Sequence, residues 1–94
     1  MATLSDIELK AALDKLPGWA VEGDELVKAY SFSTFPDAVA FVNLVADLAE
    51  DMGHHPDVLI QYSQVTTRLS THSEGGITEK DTQLARRIDG LLGR

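Results

Sequence analysis

The segment from Phe35 to Met52 contains no glycine and no proline beyond Pro36, and Thr34 before it offers a hydroxyl for an N-cap with Pro36 in the first turn. It predicts the longest helix of the chain. Its polar residues Asp37, Asn43, Asp47, Glu50 and Asp51 make a narrow stripe, whereas Phe35, Ala38, Val39, Phe41, Val42, Leu44, Val45, Leu48, Ala49 and Met52 cover most of the circumference. At about 100° per residue, Val39, Phe41, Val42, Val45, Leu48 and Ala49 spread more widely than one sheet face can cover. A chain of 94 residues and 10.2 kDa has room for one domain and one core, and little material to wrap such a helix. Large exposed apolar patches are rare on soluble monomers, so a subunit interface on this helix is the expectation.

The flanking segments read more simply. Ser5-Asp6-Ile7-Glu8 has the capping-box form, and Ile7, Leu9, Leu13 and Leu16 follow at helical spacing, which predicts a first helix from about Asp6 to Lys15. Pro17-Gly18 ends it. Trp19 to Glu22 and Leu26 to Ser33 then read as two strands about Gly23-Asp24, with Leu26, Tyr30 and Phe32 sharing a face with Lys28 and Trp19 as a core anchor. Gly53 suits a left-handed helix end and Pro56 demands extended backbone before it, so residues 53–56 predict an ordered corner. Val58 to Tyr62 and Val65 to Thr71 predict a second hairpin around Ser63-Gln64, with Val58, Ile60, Tyr62, Val65 and Leu69 on its buried face. Glu74-Gly75-Gly76 is a loop, and Thr78-Glu79-Lys80-Asp81 opens a last helix in capping-box style, with Leu84, Ala85, Ile88, Leu91 and Leu92 as its apolar stripe. The order α-β-β-α-β-β-α predicts a single α+β domain over residues 1–94, a four-stranded antiparallel sheet with three helices packed on one face.

Charge and composition narrow the function. Eight basic against fifteen acidic residues give a net charge of -7, which repels phosphate backbones and argues against nucleic acid as a direct partner. Zero cysteines exclude a disulfide framework, a thiolate metal cage and a cysteine nucleophile. No window approaches the ~20 apolar residues of a membrane span, and Met1 to Lys10 lacks the form of a signal peptide. A cytoplasmic protein without a membrane partner is expected.

All three histidines lie in the second half of the chain. An imidazole with an ordinary pKa of about 6.5 can give and take protons at neutral pH, so placement decides its use. His54-His55 precede the first strand of the second hairpin and His72 follows its second strand, and antiparallel pairing returns that exit to that beginning. The three rings should converge at one end of the sheet. Zinc ranks below acid–base chemistry, because the HExxH pattern is absent and adjacent histidines aim at one metal only across a sharp bend. Ser70, Thr71 and Ser73 stand on no nucleophile elbow, and Gly75-Gly76 lacks the lysine and serine of a phosphate loop.

The pattern Glu50, three residues, His54-His55-Pro56, five residues, Tyr62, nine residues, His72, eight residues, Asp81 resembles the signature of the pterin-4a-carbinolamine dehydratases. Gly75-Gly76-Ile77-Thr78 and Leu16-Pro17-Gly18-Trp19 resemble further segments of that family, so the likeness spans essentially the whole chain. Gly53 departs from it, since many members carry Asn or Asp there, and a polar contact from that side chain must here come from backbone or water. The resemblance implies loss of water from a 4a-hydroxytetrahydropterin to give a quinonoid dihydropterin that a reductase can recycle, with no metal and no organic cofactor. It implies that His54 and His72 transfer protons, that His55 chiefly positions the pterin, and that Asp81 and Glu50 orient or polarise the imidazoles. Gly53, His54, His55, Ser70, Thr71 and His72 would line the pocket. Taken without the resemblance, Asp81 reads equally well as a helix cap, Glu50 as a solvated acid and Tyr62 as a core residue. The family likeness further implies a homotetramer, in which sheets join edge to edge in a dimer and the long helices pack between dimers. It also offers an alternative function, a dimerisation cofactor that binds a partner's helices through the same interface.

Overall fold

Capping chemistry fixes where the helices begin. In the computed structural model, which describes residues 2–93, helix α1 (Asp6–Leu13) opens on a complete capping box in which Ser5 and Glu8 exchange backbone and side-chain hydrogen bonds. The two ends of the expected domain, Met1 and Arg94, lie outside the described residues. Helix α1 ends two residues before the expected Lys15, as the N–H groups of Lys15 and Leu16 donate three residues back to Ala12 and Leu13. Leu9 and Leu13 lean on the core, but Ile7 points to solvent, about 200° round the helix from Leu9, and Leu16 beyond the helix is the residue fully enclosed.

Strands β1 (Ala20–Glu22), β2 (Glu25–Ser31), β3 (Asp57–Gln61) and β4 (Gln64–Leu69) form one antiparallel sheet in the order β1-β2-β4-β3. Trp19, Phe32, Ser33, Ser70 and Thr71 therefore lie just outside the strands expected to hold them. The helix-facing side of the two central strands carries Leu26, Lys28 and Tyr30 opposite Leu69, Thr67 and Val65, all buried. One assignment on the second hairpin is corrected. Tyr62 does not share a buried face with Val58 and Ile60; Gln61 pairs with Gln64, so Tyr62 and Ser63 are the two-residue turn, and Tyr62 is 73% exposed at φ 53. Val58 is also more open than expected, because β3 is an edge strand, while Val65 and Leu69 on central β4 are sealed.

Helix α2 (Phe35–Met52) is capped by Thr34, whose hydroxyl accepts from the Asp37 N–H. Ala38, Phe41, Val45 and Ala49 are its buried stripe; Val39, Val42 and Leu48 are half-buried, so the chain covers more of the helix than the sequence suggests. The large apolar residues left open are Phe35 and Leu44, each about half exposed (50% and 48%) and on opposite flanks of the helix, about 180° apart. No described helix is long and apolar enough to cross a membrane. Helix α3 (Glu79–Gly90) contributes Leu84, Ala85 and Ile88 to the same core that takes Leu26, Tyr30, Val65 and Leu69 from the sheet. A short 3-10 turn, His72–Glu74, connects β4 to the segment leading into α3.

Gly53 closes α2 at φ 61, with the Gly53 N–H donating to the Glu50 carbonyl and the His54 N–H to the Ala49 carbonyl, the pair of bonds of a Schellman motif. Nothing lies within 4 Å of the place a Cβ would occupy. Gly53→Ala is therefore expected to cost only the left-handed backbone penalty, about 1–2 kcal/mol, in a urea unfolding curve. Gly53→Asn should cost less, because asparagine tolerates this conformation.

Candidate active site

The Schellman turn reverses the chain at the end of α2 and sends His54 inward and His55 outward. His54 is buried, and its Nε2 lies 2.5 Å from Asp81 Oδ1. Asp81 itself has no exposed surface. Its second oxygen, Oδ2, accepts from the Thr71 hydroxyl and from the Thr78 N–H, both at 2.9 Å. The last of these is the reciprocal bond of the α3 capping box, so Asp81 is at once helix cap and partner of His54, one oxygen for each duty.

Proton counting gives this cluster a direction. The one hydroxyl proton of Thr71 goes to Asp81, so in the 2.8 Å contact between Thr71 and Thr78 the Thr78 hydroxyl is the donor. Thr78 Oγ1 in turn accepts from the Lys80 N–H. Oδ2 therefore accepts twice; with Asp81 as the carboxylate, Oδ1 accepts as well and His54 carries its proton on Nε2. In neutral imidazole the lone pair is then on Nδ1, the nitrogen left to act as a base. Among the described residues no buried side-chain polar atom lacks a partner.

The other expected residues divide between the buried centre and the surface near it. Asp57 pairs with Arg68 at the end of the hairpin, so His54-His55 and the residues after Leu69 share that end of the sheet. Ser70 and Thr71 are buried there, and Thr71 N–H donates to the Gly76 carbonyl, folding residues 72–75 into a tight loop that carries His72 at the surface beside Thr71. His55 does not join His54: it is exposed and its Nε2 pairs with Glu50 Oε2 on the last turn of α2. A cavity of about 330 Å³ borders this pair, walled by Val42, Val45, Ala46, Ala49, Pro56 and Val58. A larger hollow of about 620 Å³ between the start of α2 and Leu91-Leu92 contains none of the histidines. Among the described residues, no three of His, Asp and Glu are grouped so as to hold a metal ion.

Thr78 joins the site through its backbone and hydroxyl, although its sequence signal is that of a cap alone. A second buried polar cluster, Trp19, Lys28, Tyr30 and Asp89, gives no sequence signal beyond the placement of Lys28 on the core face.

An α+β domain whose helix-cap aspartate orients a buried imidazole has the parts for proton transfer to a small ligand. The chain belongs to the pterin-4-alpha-carbinolamine dehydratase family, described as Pterin 4 alpha carbinolamine dehydratase, whose family model matches residues 2–91. A protein of Mycobacteroides abscessus provisionally named pterin-4-alpha-carbinolamine dehydratase is 51% identical over 94 residues, covering 100% of both chains. A relative of the same provisional name from Thermomicrobium roseum is 50% identical over 97% of this chain and 98% of its own. In three dimensions the chain resembles a transcriptional coactivator/pterin dehydratase from Brucella melitensis, with a TM-score of 0.90 and 35% identity over 95% of this chain and 97% of that one. A pterin dehydratase-like protein identified as a RuBisCO assembly factor in the alpha-carboxysome matches with a TM-score of 0.65 and 26% identity, over 80% and 87% of the two chains.

Proposed function

We propose that this protein removes water from a 4a-hydroxytetrahydropterin to give the quinonoid dihydropterin, in the cytoplasm and in support of tetrahydropterin recycling. The observation that carries the reading is the buried His54–Asp81 pair, whose carboxylate is held from its other side by Thr71 and Thr78. The bond from C4a to its hydroxyl oxygen breaks, and that oxygen takes a proton and leaves as water. The neighbouring N5 gives up its proton, and the electron pair of its N–H bond closes the new C=N bond. Two imidazoles on either side of the ring supply both transfers, each worth ~10²- to 10⁴-fold. His54, with its Nδ1 lone pair, takes the N5 proton; His72 protonates the leaving oxygen. His55, paired with Glu50 beside the cavity under α2, binds and positions the pterin, and Gly53, Ser70 and Thr71, which do not line that cavity, are proposed to contact the pterin from the side of His54. The test is the decay of a 4a-hydroxytetrahydropterin with and without the protein.

The mechanism uses no metal and no organic cofactor. Activity is expected to persist after exhaustive chelation and dialysis, and restoration of a lost rate by stoichiometric zinc would contradict it.

The subunits are further proposed to form a homotetramer, with the exposed Phe35 and Leu44 on the two flanks of α2 buried between copies. Sedimentation equilibrium at micromolar concentration should give a mass about four times 10.2 kDa. A strict monomer with α2 still helical would refute this. The same exposed apolar residues support a second reading, a dimerisation cofactor or protein-binding scaffold, in keeping with the coactivator and assembly-factor names of the two structural neighbours.

A further inference from the structure

Helix α3 carries two buried aspartates, Asp81 at its first turn and Asp89 at its last. They are eight residues apart, about 12 Å along the axis. Asp89 lies outside the acid–base centre, yet it is bonded as fully as Asp81. Its Oδ1 accepts from Lys28 Nζ at 2.9 Å and from the Tyr30 hydroxyl at 2.7 Å, and its Oδ2 accepts from Trp19 Nε1 at 3.1 Å. Lys28 also donates to the Pro17 carbonyl at 2.9 Å and sits 4.9 Å from the centre of the Tyr30 ring. The chain closes tightly about this lysine, since a Cβ at Gly18 would fall 2.9 Å from Lys28 Cε.

The two clamps belong to one closed circuit. Asp89 is tied to Lys28 and Tyr30 on β2; those residues pair with Thr67 and Val65 on β4; β4 runs on to Thr71; and Thr71 bonds Asp81, back on α3. Between the clamps, Leu84, Ala85 and Ile88 make apolar contacts, which are non-directional and resist small slides or rotations of the helix weakly, and the solvent-exposed Arg87–Asp51 ion pair ties α3 to α2, not to the sheet. At the Asp81 end, Thr71 and Thr78 lie on the loop that leads into the helix itself, and among the described residues His54 is the one bonded partner from elsewhere in the chain. Directional bonds from the sheet to α3 are therefore concentrated at Asp89.

We infer that Asp89 is a positioning residue for the acid–base site: by locking the last turn of α3 to β2 and Trp19, it holds Asp81 at the other end of the helix in register with His54. The kinetic consequence rests on the dehydratase reading, whereas the geometric one does not. In Asp89→Asn the amide has one oxygen left to accept, from Lys28 and Tyr30, while its N–H₂ meets the Trp19 donor and the charge facing Lys28 is gone, so the clamp loosens while the helix keeps its apolar stripe.

The experiment compares wild type, Asp89→Asn, Tyr30→Phe and Leu84→Val, the last a core truncation on α3 that leaves both clamps intact. The first readout is the nitrogen and proton NMR signature of the His54 ring, recorded without substrate at a temperature where each variant is folded. Asp89→Asn should shift or broaden the Nε2–H resonance bonded to Asp81, Tyr30→Phe should do so less, and Leu84→Val should leave it in place. The second readout is turnover: Asp89→Asn should lower kcat on the order of tenfold while KM stays within about twofold, as misplacement of a catalytic pair predicts. If Asp89→Asn does not fold, Tyr30→Phe decides. A wild-type His54 resonance in the folded clamp variants, or an equal change in Leu84→Val, overturns the inference. A shifted resonance in a protein whose wild type lacks dehydratase activity would refute the function while leaving the positioning role standing.

Discussion

Replacing both His54 and His72 by alanine should abolish measurable acceleration of dehydration, a loss of ~10⁴-fold or more if each imidazole contributes the usual ~10²- to 10⁴-fold. The single changes His54→Ala and His72→Ala should each lower kcat far more than they raise KM, because each group acts on a proton that moves only in the transition state. His55→Ala should do the reverse, raising KM with a smaller change in kcat, since His55 is exposed, points away from Asp81 and pairs with Glu50. Steady-state rates across a substrate series separate the two patterns. Wild-type turnover in the double variant would refute the assigned roles.

The second large effect is at Asp81 and divides between stability and chemistry. Asp81→Leu leaves the His54 Nε2–H, the Thr71 hydroxyl and the Thr78 N–H without their acceptor in a site closed to water. Each abandoned donor costs about 1–3 kcal/mol, so the three together are expected to cost ~3–9 kcal/mol in urea unfolding, a large part of the ~5–15 kcal/mol that holds a domain folded. Asp81→Asn behaves differently. Its carbonyl oxygen stays with the two donors Thr71 and Thr78, which turns the amide N–H₂ toward His54 and obliges Nε2 to accept. The ring proton then moves to Nδ1, and the lone pair needed there is lost. Turnover should fall by ~10²-fold or more with most of the stability retained. Wild-type turnover in Asp81→Asn, with stability lost only in Asp81→Leu, would show that the cap is the whole role of Asp81.

Much of this architecture is legible in the sequence because the signals are short-range. Ser5 with Glu8, Thr34 before Pro36, Gly53 after Met52 and Thr78 with Asp81 each act within a few residues, and each marks a helix end in the fold. The common sheet end of His54-His55 and Thr71-His72 follows from antiparallel pairing alone. Tyr62 is misleading because alternation continues through it, while the turn is set by the Gln61–Gln64 pairing and lacks the glycine or asparagine that announces a positive φ. The opposite directions of His54 and His55 depend on the backbone geometry after Gly53, which the tripeptide His-His-Pro does not encode by itself. Asp89 is invisible for a different reason: its partners lie 59 to 70 residues away, and a charge on an otherwise apolar stripe names no partner. On α2, the pattern shows how wide the apolar surface is but not how far Val39, Val42 and Leu48 are covered by the chain's own sheet and helices.

The central claim is that this site catalyses loss of water from the pterin carbinolamine. Its most direct test is a stopped-flow record of 4a-hydroxytetrahydropterin decay, with the intermediate generated in place and the quinonoid product followed by absorbance. The account predicts that catalytic amounts of the protein accelerate decay in proportion to protein concentration, with saturation as substrate rises. A decay rate unchanged by the folded wild-type protein, at any concentration up to that of the substrate, would contradict it.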